Sequence, residues 1–361
     1  MKTENKFIIG AFVCALMSIS CTKEDQTISN PEATSGTISV QVLPDGAAET
    51  KALDAYTGVQ AYESAINRIQ LLVFNSSGTL DHYADLGSSS TTATISTSVG
   101  QKTVYAVVNG SDLSGVETQS ALENTLVGLS ENNTDTAVGF VMSGSSVCSV
   151  TASSTASCRV NVSRLAARIV LKSVTNNLPP SYGTVTIPYV FLANVVGEQK
   201  ISGSTSLASV TWYNKYGRSD NATSASHIIG SSSSYEASCK SLTYAQLGAS
   251  LANGNAYAPS VPHLLYTCAN SSTAAPSAFS TSSFSPQRTI LVVAAEIKGS
   301  LYYYPVVLDK SAIERNTTYT VALTLSGLGS SDPVAPVEHG SISASISVSA
   351  WAAGVSYEES I

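Results

Sequence analysis

The residues best suited to chemistry in this chain are its six cysteines and four histidines. The histidines lie in separate segments of the chain, at His82, His227, His263 and His339. His82 follows Asp81 in a turn-like segment and is interpreted as a solvated side chain. There is no H-E-x-x-H metal motif, no G-x-S-x-G nucleophile motif and no glycine-rich phosphate loop. The pattern predicts no catalytic site and no cofactor, so we expect a protein that is not an enzyme.

The first residues have the pattern of an export signal. Lys2 and Lys6 give a positively charged start, and residues 7–17 form an apolar stretch that is too short to span a bilayer. Ser18-Ile19-Ser20-Cys21 follows and resembles a bacterial lipobox, although Ser18 stands where Leu is usual. The alternative is a plain secretory signal cut near the same place, and both interpretations export the protein. We predict a lipoprotein signal peptide over residues 1–21, a lipid on Cys21 and a polar tether over residues 22–35.

Export changes how the other cysteines are interpreted, because disulfides form in oxidising compartments. Four cysteines remain beyond the signal, and they allow three pairings. Cys148 and Cys158 flank residues 149–157, which suits a hairpin with the two cysteines across from each other. Cys239 and Cys268 are then left as a pair by elimination. A zinc site is the alternative, but the chain has no C-x-x-C pair and no histidine at ligand spacing, so no metal is predicted.

The composition favours strands and turns over long helices. The chain has 361 residues, of which 43% are hydrophobic and 12% charged, and Ser, Thr, Gly and Ala are abundant. Beyond residue 21 no apolar run approaches the roughly 20 residues that a membrane-spanning helix needs. The net charge is -7 and the basic residues are scattered, which argues against a nucleic-acid surface.

Alternation of apolar and polar residues predicts strands along most of the chain. Ile38, Val40 and Val42 alternate with Ser39 and Gln41 in a strand over Thr37 to Leu43. The cleanest alternation lies in residues 340–351, where Ser stands at every second position. Further strands are predicted over residues 64–74, 79–86, 91–99, 102–108, 161–174, 184–196, 289–297, 301–308 and 319–325, and short helices over residues 117–129 and 242–251.

Prolines and polar residues at Asn176 to Ser181 mark a break in the chain. Many short strands on both sides of this break predict an all-β fold of two tandem β-sandwich domains with a few short helices. We place an N-terminal sandwich at residues 36–178 and a C-terminal sandwich at residues 179–361. Residues 200–288 are the least readable part. Their aromatic residues Trp212, Tyr213 and Tyr216 are interpreted as packing residues, with a glycan-binding platform as the alternative.

An ordered set of short motifs resembles the Bacteroidales fimbrillins, the FimA/Mfa family of type V pilus subunits. The resemblance covers most of the chain and is weakest over residues 200–288. No single motif is specific, and the weight lies in the order of the set. The motifs are Ile69-Gln-Leu-Leu-Val-Phe74, Val104-Tyr-Ala-Val-Val-Asn109, Phe140-Val-Met-Ser-Gly144, Arg164-Leu-Ala-Ala-Arg-Ile169, Leu192-Ala-Asn194, Asn316-Thr-Thr-Tyr319 and Val348-Ser-Ala-Trp351.

This resemblance implies sandwiches of transthyretin-like topology and export as a lipoprotein to the outer membrane. It also implies that a protease removes the first strand, here Thr37 to Leu43, and that a terminal strand of the next subunit fills the groove. The cut is expected between Lys51 and Ala52, although the family commonly has Arg at this place. The donor region is residues 341–350, with Ile342, Ile346 and Val348 as the side chains that fill pockets.

The function expected from the resemblance is that of a structural pilus subunit at the cell surface that supports adhesion. Its partners would be other pilus subunits, the outer membrane through the lipid, and a host or bacterial surface ligand. One alternative is an anchor or tip subunit, and another is a non-polymerising surface lipoprotein that binds a glycan or a host protein. The residues alone leave two structural alternatives open. Residues 37–43 would then be an ordinary edge strand, and residues 341–350 a normal final strand paired within its own domain.

Overall fold

A computed structural model describes residues 35–44, 58–88, 90–214, 241–276, 285–308, 312–337 and 340–351, together with the strand Tyr357–Ser360. Strands dominate these residues and the helices are short, so the predicted all-β class is confirmed. None of the helices in this part of the chain is long and apolar enough to cross a membrane. The predicted lipid, cleavage and disulfide residues Cys21, Lys51, Ala52 and Cys239 lie outside the described residues.

Within the described residues the strands follow one another along the chain with short helices between them. The first part holds β1 Ser35–Pro44, α1 Ala61–Ser64, β2 Ile69–Asn75, β3 Leu80–Gly87, β4 Thr92–Ser98, β5 Gly100–Val108, α2 Gln119–Asn124, β6 Leu126–Gly128, β7 Met142–Val150, β8 Thr155–Arg164 and β9 Ala166–Asn176. The remainder holds β10 Val185–Ala193, β11 Val195–Val196, β12 Glu198–Lys200, β13 Trp212–Tyr213, β14 Tyr244–Leu251, β15 Ala256–Tyr257, β16 His263–Cys268, β17 Ile290–Ile297, β18 Ser300–Val307, β19 Thr317–Leu325, β20 Ile342–Ala350 and β21 Tyr357–Ser360.

The first seven long strands form one sheet in the order β3-β2-β5-β7-β8-β1-β4. Inward side chains of β1, β4 and β8 meet those of β2, β5 and β7 in a single hydrophobic cluster, which gives this sheet the packing of a sandwich. The hairpin of β7 and β8 is very close at Gly144. A Cβ atom there would lie 1.8 Å from the carbonyl oxygen of Asn161, so only glycine permits the approach.

β2 is buried on both faces, as its unbroken apolar run predicts. Leu71 belongs to the cluster between the two halves of the sandwich, whereas Leu72 packs on the opposite face against a second cluster. Leu122 of α2 belongs to that second cluster. The helix predicted over residues 117–129 is therefore present but shorter, and the side chain of Thr118 caps it by accepting a bond from the amide of Ala121 at 3.1 Å.

The later strands form two further large sheets that share one core. One sheet has the order β15-β9-β19-β20-β21, with β16 also paired to β9, and the other has the order β14-β10-β17-β18. The helix predicted over residues 242–251 is wrong from Tyr244 onward, because Tyr244–Leu251 is the strand β14, which pairs with β10. Ala245, Leu247 and Ala249 are half-buried and alternate with exposed residues, as a half-buried strand requires.

The chain passes from the first sheet to the next at Leu165. Arg164 is the last residue of β8 in the seven-stranded sheet, and Ala166 is the first residue of β9, which pairs in parallel with β19. Residues 166–176 therefore hydrogen bond with strands from the later part of the chain. The domain limits at residues 36–178 and 179–361 stay a prediction.

A buried polar cluster joins the two groups of sheets. Arg168 of β9 forms an ion pair with Glu63 of α1 at 2.9 Å, and both side chains are almost inaccessible. Arg164 donates a bond to the carbonyl oxygen of Glu63 at 2.7 Å, and Tyr266 donates one to its carboxylate at 2.8 Å. Both guanidinium groups lie over the ring of Trp351, 4.9 and 5.4 Å from its centre. Trp351 immediately follows β20 and is completely buried.

A second polar cluster holds the end of β4. The carboxylate of Asp81 on β3 accepts bonds from the side chain of Thr97 and from the amide of Ser98. Lys102 of β5 is buried and donates to the same carboxylate at 2.8 Å. Burial alone would raise the pKa of Asp81, but the bonds from Lys102, Thr97 and Ser98 outweigh it and lower the pKa to about 2.

We predict that Glu63→Gln destabilises the fold by about 3 to 5 kcal/mol, because the buried charge of Arg168 then loses its carboxylate counter-charge. The free energy of unfolding in urea measures the effect. Glu296→Gln is the matched control, because Glu296 is exposed on β17, and it should change the free energy by less than about 0.5 kcal/mol. Equal effects of the two variants would contradict the role of the buried ion pair.

We predict that Asp81→Asn costs stability at neutral pH and that this cost shrinks as the pH falls from about 4 to about 2. The folded-state pKa lies below the value of about 3.9 expected in the unfolded chain, so the contribution of Asp81 is present above pH 4 and is lost on protonation. The difference in free energy of unfolding between wild type and variant, measured from pH 7 to pH 2, checks this. A difference that does not change with pH would contradict it.

Candidate functional site: the groove that holds the first strand

The first strand lies inside a sheet, between two other strands. β1 pairs in parallel with β8, so that Val40 lies opposite Cys158, and antiparallel with β4, so that Val40 lies opposite Ala93. The alternative of an ordinary edge strand is therefore wrong. Taking β1 away would leave the ladder edges of both β8 and β4 unpaired, which is a groove with two hydrogen-bonding walls.

The apolar side of β1 fills the floor of this groove. Ile38, Val40 and Val42 are at most 1% exposed, and they belong to the same hydrophobic cluster as Leu71 and Val160. Full burial of three such side chains contributes about 5 to 9 kcal/mol before ordering costs. The strand is thus held strongly, and an empty groove would expose a continuous apolar slot.

Backbone contacts at both ends fix the register of β1. The amide of Thr37 donates to the carbonyl oxygen of Ser154 at 2.9 Å, and the amide of Val42 donates to that of Thr91 at 2.8 Å. At the start of the groove the space is very small. A Cβ atom on Gly36 would lie 2.5 Å from the carbonyl oxygen of Thr151 and 2.6 Å from the side chain of Val150. Only glycine therefore fits at this register position.

β4 depends on β1 for its place in the sheet. It is the last strand in the order, and β1 is the only strand hydrogen bonded to it within the described residues. The Asp81 cluster then becomes important, because it ties Thr97 and Ser98 at the end of β4 to β3 and to Lys102 of β5. This tie would keep the outer wall of the groove in place when β1 is absent.

Two of the predicted disulfide residues lie beside the groove. Cys148 on β7 and Cys158 on β8 both pack in the cluster that receives β1. Burial, with the neighbouring Cys158 thiol, raises the pKa of Cys148 to about 12. Cys268 is buried in the other core. A disulfide between Cys148 and Cys158 stays a prediction, as does the pairing of Cys268 with Cys239.

The predicted donor segment is a paired strand in this structure. β20 pairs with β19 from Ile342 to Ala350 and with β21 at its outer edge. Ile346 is buried, while Ile342 and Val348 are partly buried against the same core. The alternative that residues 341–350 form a final strand paired within their own chain therefore describes the state seen here.

The alternative of an aromatic platform is not supported at Trp212 and Tyr213. Trp212 and Tyr213 pair with β11 in a short two-stranded sheet and are buried in the core, which confirms their interpretation as packing residues, whereas Tyr216 lies outside the described part.

Sequence reasoning missed Gly36, Asp81 and Lys102 as groove residues. Gly36 stands directly before the alternating run, which is a usable signal. The Asp81 and Lys102 pair has no sequence signal, because its contact depends on how β3, β4 and β5 pack.

Comparison with known proteins agrees with this architecture. Residues 36–172, which include every strand of the groove, match the sequence profile of the major fimbrial subunit protein family FimA of Porphyromonas gingivalis. Among curated proteins, none matches the chain significantly.

Solved structures of similar fold cover nearly all of the chain. A candidate cell adhesion protein from Parabacteroides distasonis is 17% identical with a TM-score of 0.62, and the match covers 90% of this chain and 99% of that one. A fimbrilin (FimA) from Porphyromonas gingivalis is 13% identical with a TM-score of 0.59, covering 87% and 97%. The tip fimbrial protein Mfa3 of the same species is 13% identical with a TM-score of 0.51, covering 88% and 100%. The predicted resemblance is therefore confirmed: residues 36–172 match the major fimbrial subunit family, and the chain has the fold of a fimbrillin.

Proposed function

We propose that this protein is a subunit of a cell-surface fimbria that is assembled by replacement of its first strand. The single observation that carries the proposal is the interior position of β1, between β8 and β4. β1 is joined to α1 through residues 45–60, which include Lys51. A cut in this link would free β1 from the chain and leave the rest of the chain covalently intact.

The residues after the link are held independently of β1. Glu63 accepts bonds from the backbone amide of Gln60 at 2.7 Å and from Arg168, while Arg168 also donates to the carbonyl oxygen of Gly58 at 2.8 Å. A new amino terminus at Ala52 would therefore lie only six residues before a firmly bound segment. The loss of β1 would leave the junction between the sheets intact.

The donor in this proposal is the segment before and within β20 of a second copy. Gly340-Ser-Ile-Ser-Ala-Ser-Ile346 repeats the pattern of Gly36-Thr-Ile-Ser-Val-Gln-Val42, with glycine, isoleucine and serine at the same places. Gly340 would then occupy the narrow entrance where only glycine fits, and Ile342, Ala344 and Ile346 would replace Ile38, Val40 and Val42. Head-to-tail donation does not close on itself, so it extends a fibre.

A second candidate function is that of a terminal subunit, at the tip or the anchor of the fibre. It is favoured by Trp351, which is buried between two arginines and would have to leave this site if β20 moved. A subunit whose groove opens while β20 stays bound accepts a strand and donates none. Such a subunit would end a fibre and not extend it.

Export is part of the proposal in both cases. Cys21 would carry the lipid that holds the precursor at the outer membrane, and residues 22–35 would be the tether. The fimbrial family matched by residues 36–172 supports a place at the cell surface. Adhesion would then be exerted by the assembled fibre.

We predict that protein extracted from the cell surface begins at Ala52 and is polymeric, and that Lys51→Gln keeps the amino-terminal segment and stays monomeric. The variant removes the basic residue in the link, so a protease that requires a basic residue cannot cut there. Amino-terminal sequencing and size-exclusion chromatography measure both results. Lys23→Gln, in the predicted tether, is the control and should assemble normally. Polymers of Lys51→Gln with the first strand retained would contradict the proposal.

We predict that a synthetic peptide of residues 340–350 binds the protein only after β1 has been removed. In the peptide, Ile346→Asp should weaken binding at least about tenfold, because it places a charge in the apolar slot, whereas Ser345→Asp points away from it and should have little effect. Fluorescence anisotropy measures the affinity. Trimmed protein that binds the peptide but never polymerises would identify a terminal subunit, and equal binding of both charged peptides would contradict the donor register.

A further inference from the structure

Arg315, which has no ion-pair partner within the described residues, lies at the junction of two clefts that the strand-replacement proposal does not use. One cleft of about 740 Å³ is bounded by β7, by Tyr105 and Glu123, and by residues 201–204. A second cleft of about 440 Å³ lies behind it. The two share only Gly203, Ser204 and Arg315. Arg315 therefore presents its guanidinium group where both spaces meet.

The guanidinium of Arg315 is positioned by one of its nitrogens. Its Nη2 donates to the carbonyl oxygen of Ser143 at 3.1 Å and to the hydroxyl of Ser163 at 2.6 Å. Nε and Nη1 have no hydrogen-bond partner in the part of the chain that the structure describes, and no carboxylate there lies within ion-pair distance of this residue. Burial lowers the pKa of Arg315, as expected for a cation without an opposite charge.

The backbone leaves room in front of this group. Gly203 has a φ of +84°, and a Cβ atom there would lie 3.1 Å from Nη1 of Arg315. A side chain at this position would crowd the free nitrogen, whereas glycine leaves it open to the cleft. The free donors Nε and Nη1 lie on different edges of the guanidinium, so each can donate to a separate oxygen, and the fixed positive charge favours an anionic oxygen such as that of a carboxylate.

The lining of the larger cleft also carries a negative charge, on Glu123. The carboxylate of Glu123 accepts bonds from the hydroxyl of Tyr105 and from the amide of Gln119, and these bonds lower the pKa of Glu123. A doubly charged phosphate would be repelled by this carboxylate and would meet only one cation. A ligand with one carboxylate and several hydroxyl groups suits this lining. Its carboxylate would accept bonds from Arg315, and its hydroxyls would donate to Glu123 and to the serines.

We propose that the cleft at Arg315 binds an acidic sugar, a hexuronic acid residue of a surface glycan, with Arg315 on its carboxylate and Glu123 on its hydroxyls. The other polar partners are the side chains of Ser145, Ser202 and Ser204, which line the same cleft. This site is separate from the groove of β1 and is independent of whether the protein polymerises.

Saturation-transfer NMR and calorimetric titration of the full-length protein with D-galacturonate test the proposal. We expect binding to the wild-type protein, no comparable binding of neutral D-galactose, and at least tenfold weaker binding to Arg315→Gln. Arg159→Gln is the matched control, because it removes the same charge by the same substitution. Arg159 is exposed on β8 and lines neither cleft, so this variant should bind as the wild type does.

Ser204→Trp provides a second variant in case Arg315→Gln does not fold. Ser204 is exposed at the shared edge of the two clefts, so a large side chain there should block the ligand and leave Arg315 in place. The proposal is overturned if galacturonate does not bind the wild type, or if binding survives both Arg315→Gln and Ser204→Trp. Inorganic phosphate that binds as tightly and with the same dependence on Arg315 would overturn the assignment of a sugar ligand.

Discussion

The pairing of β1 between β8 and β4 is the constraint on which the first sheet depends. Without β1 the ladder ends at β8, and in the described part of the chain no other strand pairs with β4 in the sheet. The same strand supplies three of the buried side chains in the core beneath it. One short segment near the start of the chain therefore completes both the hydrogen bonding and the packing of the sandwich.

Two polar clusters hold the residues around the groove of β1. Asp81 and Lys102 hold the free end of β4, and Glu63 and Arg168 hold the residues that follow the link. Both are polar contacts that do not involve β1. A groove whose walls are held by contacts outside β1 would keep its shape without β1. A strand that bound there would then cause little reorganisation of the protein.

The positions of the strands along the chain were easier to predict from sequence than the strands with which they pair. Alternation located β1, β17, β19 and β20, and the unbroken apolar run of β2 predicted its double burial. The error at β14 arose because short apolar segments fit both periods, and Gly248 and the two-residue alternation of Ala245 to Leu251 were the evidence for a strand. That β1 lies inside a sheet could not be read from its residues, because an edge strand and an interior strand covered on one face share one pattern.

The buried charges were beyond sequence reasoning for a different reason. Arg164 and Arg168 stood out only as members of a motif, and their partners Glu63 and Trp351 are about a hundred or more residues away along the chain. Contacts of this separation are set by topology, which local patterns do not specify.

The parallel ladder of β1 and β8 also governs the order in which the chain can fold. Thr37 lies opposite Thr155, 118 residues later, so β1 cannot pair with β8 until most of the sandwich has been synthesised. Closing so long a loop is slow, whereas β2, β3, β5 and β7 pair with strands that are closer along the chain. β1 should therefore dock last during folding. The folding intermediate that precedes this step should have a formed groove that β1 does not yet occupy.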